Sequence, residues 1–384
     1  MLPLLRRALF GCRFFAVFSA VVAVETFALT DDELMDEAIA EYNQGDYAKA
    51  EEKLNEFVDR RPEMKDGYFN RALARIAVGK FAEAESDLDV FLSIDPKSAN
   101  AFELRAALRL QRGNGAGAIA DASAGLRIEN RPELRATRGR ALLAKGDYEA
   151  AIKDLDAALD EIEDHDMARF ARGQCYLPLG RWEEAVADLE IIVERHPDEL
   201  GVIDKLGDAR FGQMEFEGAI EMFERLTGFE QHRSGALRNL GYNYFALGNY
   251  ERAIGAFEQS LASEGVASPW AAAVLHLAWV KAKREGESPL PGLIDRIDDP
   301  WGKSVCQMLL KQVSEEELIE RARAVADPKK QRGRLCEAYF YLGAARSHAG
   351  DKIAGRAILS QAVATESITF IEYTLAKAEL QRKS

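Results

Sequence analysis

Apolar residues recur at helical spacing along most of the chain, in stretches of about 14 residues that come in pairs. Each pair is joined by one short pattern, in which a glycine precedes a polar residue, an aromatic residue and then an alanine. Gly248, Asn249, Tyr250 and Ala253 form the clearest copy. Glycine ends a helix because it adopts positive φ without steric cost, and Asp or Asn caps the free N–H groups of the next helix. Each pair of stretches therefore predicts a helical hairpin.

The joining pattern returns at a nearly constant interval, 34 residues at most steps and 33 at one. A fixed period of this length indicates stacked units, none of which can bury its apolar face alone. The turn positions are Gly45, Gly79, Gly113, Gly146, Gly180, Met214 and Gly248, with a last copy at Gly350. The predicted units are 31–64, 65–98, 99–131, 132–165, 166–199, 200–233 and 234–267.

Opposite charges recur at two positions of the unit when its turn glycine is numbered 15. Position 7 is Arg and position 23 is Asp in the second to fifth units, and the first unit has the two charges exchanged. We therefore expect position 7 to contact position 23 within each hairpin, as structural ion pairs that are partly exposed and contribute about 0–1 kcal/mol each. The pairs are Arg71 with Asp87, Arg105 with Asp121, Arg138 with Asp154, Arg172 with Asp188, and Glu37 with Lys53.

The pattern resembles the tetratricopeptide repeat family over residues 31–267 and 336–369. The resemblance lies in a small residue at position 8, an apolar residue at position 24 and prolines that close the second helices, such as Pro62 and Pro96. It implies an all-α fold, a right-handed solenoid of antiparallel helix hairpins. Position 8 is Ala38, Ala72, Ala106, Gly139, Gly173, Gly207, Gly241 and Gly343, and position 24 includes Leu54, Leu88, Leu155, Leu189, Phe223, Phe257 and Leu359.

The resemblance also implies a concave groove lined by the first helix of each unit. Asn, Tyr and Arg side chains in a groove supply hydrogen-bond donors and aromatic anchors for an extended peptide or a partner helix. The Lys and Asn arrangement with which some family members hold a C-terminal carboxylate does not occur. The groove candidates are Phe69, Asn70, Phe170, Gln174, Lys205, Asp208, Arg238, Asn239 and Tyr242.

The period fades in the segment 268–335, which holds Trp270, Trp279 and Trp301. Helices are predicted at 270–284, 291–297, 301–312 and 315–326, the last with a capping box of Ser314 and Glu317. Residues 336–384 are predicted to be a terminal repeat unit and a capping helix. A bridge between Cys306 and Cys336 is an open alternative to free thiols.

The C-terminal hundred or so residues carry a second resemblance. The runs Pro300-Trp301-Gly302, 313–318 and 336–343, with Phe370-Ile371-Glu372-Tyr373, are similar to the C-terminal part of NlpI-type tetratricopeptide lipoproteins of Gram-negative bacteria. That family implies envelope adaptors that bring cell-wall hydrolases to a processing protease, often as homodimers.

Residues 1–28 are predicted to be a secretory signal peptide. Arg6, Arg7 and Arg13 precede an apolar run of 11 residues, Phe14 to Val24, which is shorter than the roughly 20 residues that a membrane span needs. An uncleaved anchor is the alternative. Because the apolar run follows Cys12 rather than preceding it, we expect no lipid anchor.

The remaining chemistry argues against catalysis and against nucleic acid. The chain has 64 Asp and Glu against 50 Lys and Arg, a net charge of −14, which disfavours a phosphate backbone as partner. The five histidines are dispersed, and no H-E-x-x-H, C-x-x-C or G-x-S-x-G motif occurs. No cofactor, metal or small-molecule substrate is expected, although a catalytic site built across repeats stays a competing hypothesis.

These observations predict a non-enzymatic adaptor, exported to the periplasm or cell envelope, that binds protein or peptide partners in its groove. It would position cell-wall hydrolases or a protease. The alternative is a structural subunit of an envelope assembly that binds through the tryptophan-rich segment 268–335. The predicted domains are thus 1–28, 29–267, 268–335 and 336–384.

Overall fold

The computed structural model describes residues 29–382, and the predicted signal peptide lies outside them. Every regular element in this range is helical, which confirms the predicted all-α class. The described chain forms two compact units, 29–94 and 95–382. The first unit has two hairpins, built from α1 Asp31–Asn43, α2 Tyr47–Arg60, α3 Lys65–Ala77 and α4 Phe81–Ile94.

The second unit begins with five further hairpins and continues into a less regular part. Its helices pack in chain order, and the first helices of its first three hairpins also contact each other. The hairpins are α5 Ala99–Gln111, α6 Gly115–Ile128, α7 Pro132–Lys145, α8 Tyr148–Glu161, α9 Asp166–Tyr176, α10 Trp182–Arg195, α11 Leu200–Gln213, α12 Phe216–Leu226, α13 Glu230–Leu247 and α14 Tyr250–Ser263. The rest is α15 Pro269–Lys281, α16 Leu290–Leu293, α17 Pro300–Leu309, α18 Glu315–Arg323, α19 Pro328–His348, α20 Lys352–Ala364 and α21 Ile371–Gln381.

The hairpin turns use left-handed backbone, as the repeated glycine predicts. Gly248 has φ of 80°, and the N–H groups of Gly248 and Asn249 donate to the carbonyls of Phe245 and Tyr244 at 2.9 and 2.8 Å. These bonds satisfy carbonyls that the end of α13 would otherwise leave free. Met214 takes the same conformation with φ of 69°, a geometry that costs a side-chain-bearing residue about 1–2 kcal/mol.

Side-chain capping of the second helices occurs at only some of the turns. Asn249 Oδ1 accepts from the N–H of Arg252 at 3.4 Å, and Asp351 caps α20 in the same way. Asp46 and Asp147 make no such bond. The expected capping therefore holds for part of the repeats only, and the backbone bonds of the turn are the common element.

The two helices of each hairpin approach most closely where position 8 faces position 24. A Cβ atom added to Gly241 would lie 2.6 Å from the Phe257 ring, and one added to Gly139 would lie 2.7 Å from Leu155. In the first unit Ala38 and Leu54 occupy these positions and belong to one buried cluster. The small residue is thus required by the bulk of the side chain opposite it.

All five predicted ion pairs are present, and this prediction is confirmed. Each Asp accepts from its Arg at 2.6 to 2.8 Å, and Lys53 contacts Glu37. The expectation that the pairs are partly exposed is wrong for the aspartates, which are only 2 to 6% exposed. Removing one partner of a buried pair costs about 3–5 kcal/mol, so these aspartates matter more than surface pairs do. The pairs are Arg71–Asp87, Arg105–Asp121, Arg138–Asp154 and Arg172–Asp188.

The segment 268–335 is helical at each predicted place. The helix predicted at 291–297 is the short α16 followed by a 3-10 turn, Ile294–Arg296. Ser314 Oγ caps α18 by accepting from the N–H of Glu317 at 3.1 Å, whereas the Glu317 carboxylate pairs with Arg321 instead of closing the predicted box. Cys306 and Cys336 are free and buried, so the alternative of a disulfide bridge is wrong. The domain boundaries stay predictions.

Within residues 29–382, no helix combines the length and the apolar character that crossing a membrane requires.

Replacing Gly241 with alanine is expected to lower the free energy of unfolding, because the new Cβ would overlap the Phe257 ring. Overpacking of this kind typically costs about 1–3 kcal/mol. Gly255 provides the matched control, since it lies within α14 and an added Cβ meets nothing within 4 Å. Gly255→Ala should stabilise by about 0.5–1 kcal/mol. Urea unfolding of both variants checks the pair, and equal effects would contradict the close approach.

Candidate protein-binding site

The last helix of the second unit turns back onto earlier repeats. Besides α19 and α20, which precede it, α21 packs against α11 and α13. The sixth and seventh repeat units are therefore partly covered by the chain's own C-terminal segment. No repeat signature predicts this arrangement, since α21 lies beyond the last copy of the pattern.

The segment that leads into α21 fits against two glycines. The Ile368 side chain fills the space in front of Gly180, where a Cβ atom would overlap it, and Phe370 does the same at Gly333. A hydrogen bond of 2.9 Å from the Tyr341 hydroxyl to Glu372 Oε1 holds the start of α21. These contacts fix the position of residues 368–374.

Two basic residues hold the end of α21. Lys281 Nζ lies 2.7 Å from Glu379 Oε2, and both side chains are largely buried. Arg382 donates to the Tyr250 hydroxyl and to the Ala246 carbonyl, each at 2.6 Å. Because the last carbonyls of α13 receive these bonds, Arg382 also serves as a cap for that helix.

A cavity of about 570 Å³ lies between the C-terminal segment and the repeats. Helices α7 to α13 form one side of it, and residues 368–371 and Thr374 form the other. Its size is within the range of roughly 300–1,000 Å³ that is usual for ligand sites. Aromatic side chains form much of the wall, among them Tyr148, Trp182, Phe211 and Phe370.

A lysine between two carboxylates forms the charged part of the wall. Lys205 Nζ lies 2.9 Å from Asp204 and 2.8 Å from Asp208, and Lys205 and Asp208 line the cavity. Burial by itself lowers the pKa of Lys205, but the two carboxylates outweigh it and raise that pKa. Burial raises the pKa of Asp208, and Lys205 only partly offsets this.

Amide side chains supply hydrogen-bonding groups without partners. Asn243 is 1% exposed and donates through Nδ2 to the Asn239 carbonyl at 2.9 Å, yet its Oδ1 has no partner among the described residues. Buried polar atoms are nearly always paired, so an unpaired one beside a cavity indicates a place for a ligand group. The side chains of Gln174 and Asn239 also line the cavity.

Five of the nine groove candidates come together at this cavity: Gln174, Lys205, Asp208, Asn239 and Tyr242. Tyr242 is 3% exposed, with its ring edge-on to Phe257 at 5.1 Å. Burial raises its pKa. Tyr242 is therefore mainly a core residue that presents one edge to the cavity.

The other four candidates lie elsewhere. Phe170 packs partly buried against the core, and Arg238 is paired with Glu264 at 2.9 Å. Phe69 and Asn70 belong to the unit 29–94, where the Phe69 ring contacts Phe91 and the Asn70 amide donates to the Asp66 carbonyl. None of the four lines the cavity. That the groove candidates bind a partner stays a prediction.

Sequence reasoning missed Asn243 and residues 368–374. Asn243 is at position 10 of its unit, which is not among the groove positions of the family. The one available signal was polarity, because Asn243 stands between Tyr242 and Tyr244 in an otherwise apolar run.

Two carboxyl groups are buried where α19 meets α21. Glu337 accepts from the Trp301 indole at 2.6 Å, and Glu372 accepts from the Tyr341 hydroxyl. Both donors are neutral. Burial, together with the nearby Glu372, raises the pKa of Glu337 to about 8, and burial also raises the pKa of Glu372. The hydrogen bonds from Trp301 and Tyr341 lower these two pKa values by less than burial raises them.

Comparisons with known proteins agree with the helical repeats. The family described as Tetratricopeptide repeat matches residues 35–99, 137–199 and 234–264. A protein named Lipoprotein NlpI homolog, from Haemophilus influenzae, is 28% identical over 173 residues. The match covers 44% of this chain and 54% of that protein, so the chain spans about half the length of this relative.

Solved structures of repeat proteins are also similar. A tetratricopeptide repeat protein from Parabacteroides merdae aligns with a TM-score of 0.47 and 21% identity, over 65% of this chain and 98% of its own. PilW, described as a type IV pilus biogenesis factor, aligns with a TM-score of 0.47 and 15% identity, over 52% of this chain and 93% of its own.

Replacing Glu337 with glutamine is expected to remove a pH dependence of stability. The folded protein keeps the Glu337 proton up to about pH 8, whereas the unfolded chain releases it near its ordinary value of 4.5. The folded state thus binds more protons in this window, and its free energy of unfolding falls as the pH rises from about 4.5 to about 8. Glutamine still accepts from Trp301 but does not titrate.

Urea unfolding at pH 5 and at pH 8 tests this expectation. The parent protein should lose stability between the two values, and Glu337→Gln should lose less. A matched control is Glu258→Gln, because Glu258 is exposed on α14. If Glu337→Gln loses as much unfolding free energy between pH 5 and pH 8 as the parent does, the Glu337 carboxyl group is ionised in the folded protein.

Proposed function

Because the chain is built from tetratricopeptide repeats, we propose that it is a non-enzymatic adaptor of the bacterial cell envelope that binds a protein partner. Stacked repeats of this kind expose extended surfaces for binding other chains. The partner would enter the cavity between helices α7 to α13 and residues 368–374. The observation that carries the proposal is the buried, unpartnered Oδ1 of Asn243 beside two further free amides, Gln174 and Asn239.

The C-terminal segment sets the form of the site. Since α21 covers parts of α11 and α13, a partner cannot lie along all the first helices of the second unit. It would instead place a short stretch or a few side chains into the cavity. Interfaces of this kind concentrate their binding energy in a small number of anchors.

The envelope location rests on two supports. The predicted signal peptide at 1–28 favours export. The similar protein from Haemophilus influenzae is named as a lipoprotein, a class of protein attached to membranes of the cell envelope. A cell-wall hydrolase or a protease is the partner class that follows from the NlpI-type resemblance.

The cavity is better suited to binding than to catalysis. The described residues that line it include no histidine, cysteine or serine, and Asp208 is its one carboxylate. Acid–base and nucleophilic mechanisms usually need a base beside a nucleophile. Nor does any group of His, Cys, Asp and Glu within residues 29–382 have an arrangement that could hold a metal ion.

The tryptophan-rich segment is less suited to partner binding. Trp301 is buried and donates to Glu337, and the Trp270 ring stacks on Tyr341 with 6.2 Å between centroids. The Trp279 indole N–H is buried without a hydrogen-bond partner among the described residues, but Trp279 does not line the cavity. Because the Trp270 and Trp301 indoles serve internal packing, we favour the cavity over segment 268–335 as the binding site.

Capture of a partner from an envelope extract tests the proposal. The bait is the purified protein, and the variant Gln174→Ala with Asn239→Ala removes two amides whose side chains make no hydrogen bond to a described residue. We expect a cell-wall hydrolase or a protease to be enriched by the parent, with recovery lowered at least about tenfold by the double variant.

The matched control is Gln259→Ala, which removes an exposed amide from α14, away from the cavity. Gln259→Ala should recover the partner as well as the parent does. Equal recovery by all three baits would place the partner outside the cavity and would contradict the proposal. Circular dichroism establishes that each variant is folded.

A further inference from the structure

The polar groups of the cavity favour a ligand that donates hydrogen bonds. Asn243 Oδ1 is an acceptor that the protein leaves unused, although its residue is almost fully buried. Its own Nδ2 already donates to the Asn239 carbonyl, so the amide cannot be turned around without losing that bond. A ligand that pairs with Oδ1 must therefore bring an N–H or O–H group.

The charge of the wall points the same way. Lys205 is held between Asp204 and Asp208, so the three side chains together carry one net negative charge. Two of the three N–H bonds of the ammonium group are directed at these carboxylates. The Lys205 ammonium also lines the cavity, but it is already paired with both carboxylates, so the net negative charge of the three side chains favours a cation over an anion.

Aromatic rings complete this environment. Tyr148, Trp182 and Phe211 line the cavity, and ring faces attract cations by about 0.5–2 kcal/mol, most at sites shielded from water. The aliphatic stem of a long basic side chain would also pack on these rings. The cavity is thus aromatic along much of its wall, and its charged group of Asp204, Lys205 and Asp208 has a net negative charge.

We propose that the cavity binds a basic side chain, of arginine or lysine, that a partner protein inserts as its anchor. The terminal N–H groups would donate to Asn243 Oδ1 and to Asp208, and the stem would lie along the aromatic wall. This inference rests on the proposed function, since it names the chemistry by which the partner is recognised. A net charge of −14 on the whole chain would steer such a partner toward it.

Three capped tripeptides test the proposal on the full chain by ligand-observed NMR or calorimetric titration. They are acetyl-Gly-Arg-Gly-amide, its citrulline counterpart, which has the same shape without the charge, and acetyl-Gly-Glu-Gly-amide. We expect the arginine peptide to bind at least tenfold more tightly than the citrulline peptide, and the glutamate peptide to bind least.

Asp208→Asn should lower the affinity for the arginine peptide at least tenfold and leave the affinity for the citrulline peptide nearly unchanged. The control Asp198→Asn removes one charge from an exposed residue outside the cavity and should leave all three affinities unaltered. Chemical-shift perturbation near Asn243 in the parent protein would locate the peptide without any substitution.

Several results would overturn the proposal. Equal binding of arginine and citrulline peptides, tighter binding of the glutamate peptide, or no binding of any of them would each do so. If partner capture still depends on Gln174 and Asn239 in those cases, the protein-binding function stands and only the basic anchor falls. If the arginine peptide still binds but partner capture does not depend on Gln174 and Asn239, the proposed function is contradicted instead.

Discussion

The close approach of the two helices in each hairpin is the constraint on which the rest of the structure depends. In every unit but the third, where Ala106 is matched by Ala122, it requires a small residue at position 8, because the large side chain at position 24 lies on it, as Phe257 does on Gly241. At this separation the side chains of positions 7 and 23 also meet. The Arg–Asp pairs with a buried aspartate, such as Arg172 with Asp188, thus result from the same close approach. Separating the two helices of a hairpin would break the pair, which raises the free energy needed to open it. A rigid stack of this kind can hold side chains from several helices around one cavity.

Much of the fold could be predicted from the sequence because it is local and repeated. A hairpin of about 34 residues specifies its own turn, its packing residues and its ion pair, and each copy checks the others. The position of Arg71 against Asp87 followed from charge exchange in the first unit, where Glu37 and Lys53 stand in their places. What the pattern could not give was burial. The aspartates are 2 to 6% exposed, and a charge pattern alone says which residues pair but not how deeply the pair is buried.

The candidate site could be predicted only in part, for a different reason. The family positions selected Gln174, Lys205, Asp208, Asn239 and Tyr242, which line the cavity, but they also selected Arg238, which is paired with Glu264. The other wall comes from residues 368–374, more than a hundred residues away in sequence from most of the helices they meet. Contacts between such distant segments have no repeat to mark them. Arg382 makes one such contact, since it donates to the Tyr250 hydroxyl, 132 residues away in sequence.

Site-specific photocrosslinking would show whether a partner binds in the cavity. A photoreactive phenylalanine analogue is placed at Gln174, which lines the cavity, or at the exposed Gln259 of α14, and each protein is irradiated with an envelope extract. Binding of a partner in the cavity predicts a crosslinked envelope protein from position 174 and none from position 259. A crosslink from position 259 alone would contradict it and would place the binding surface on the second helices of the repeats.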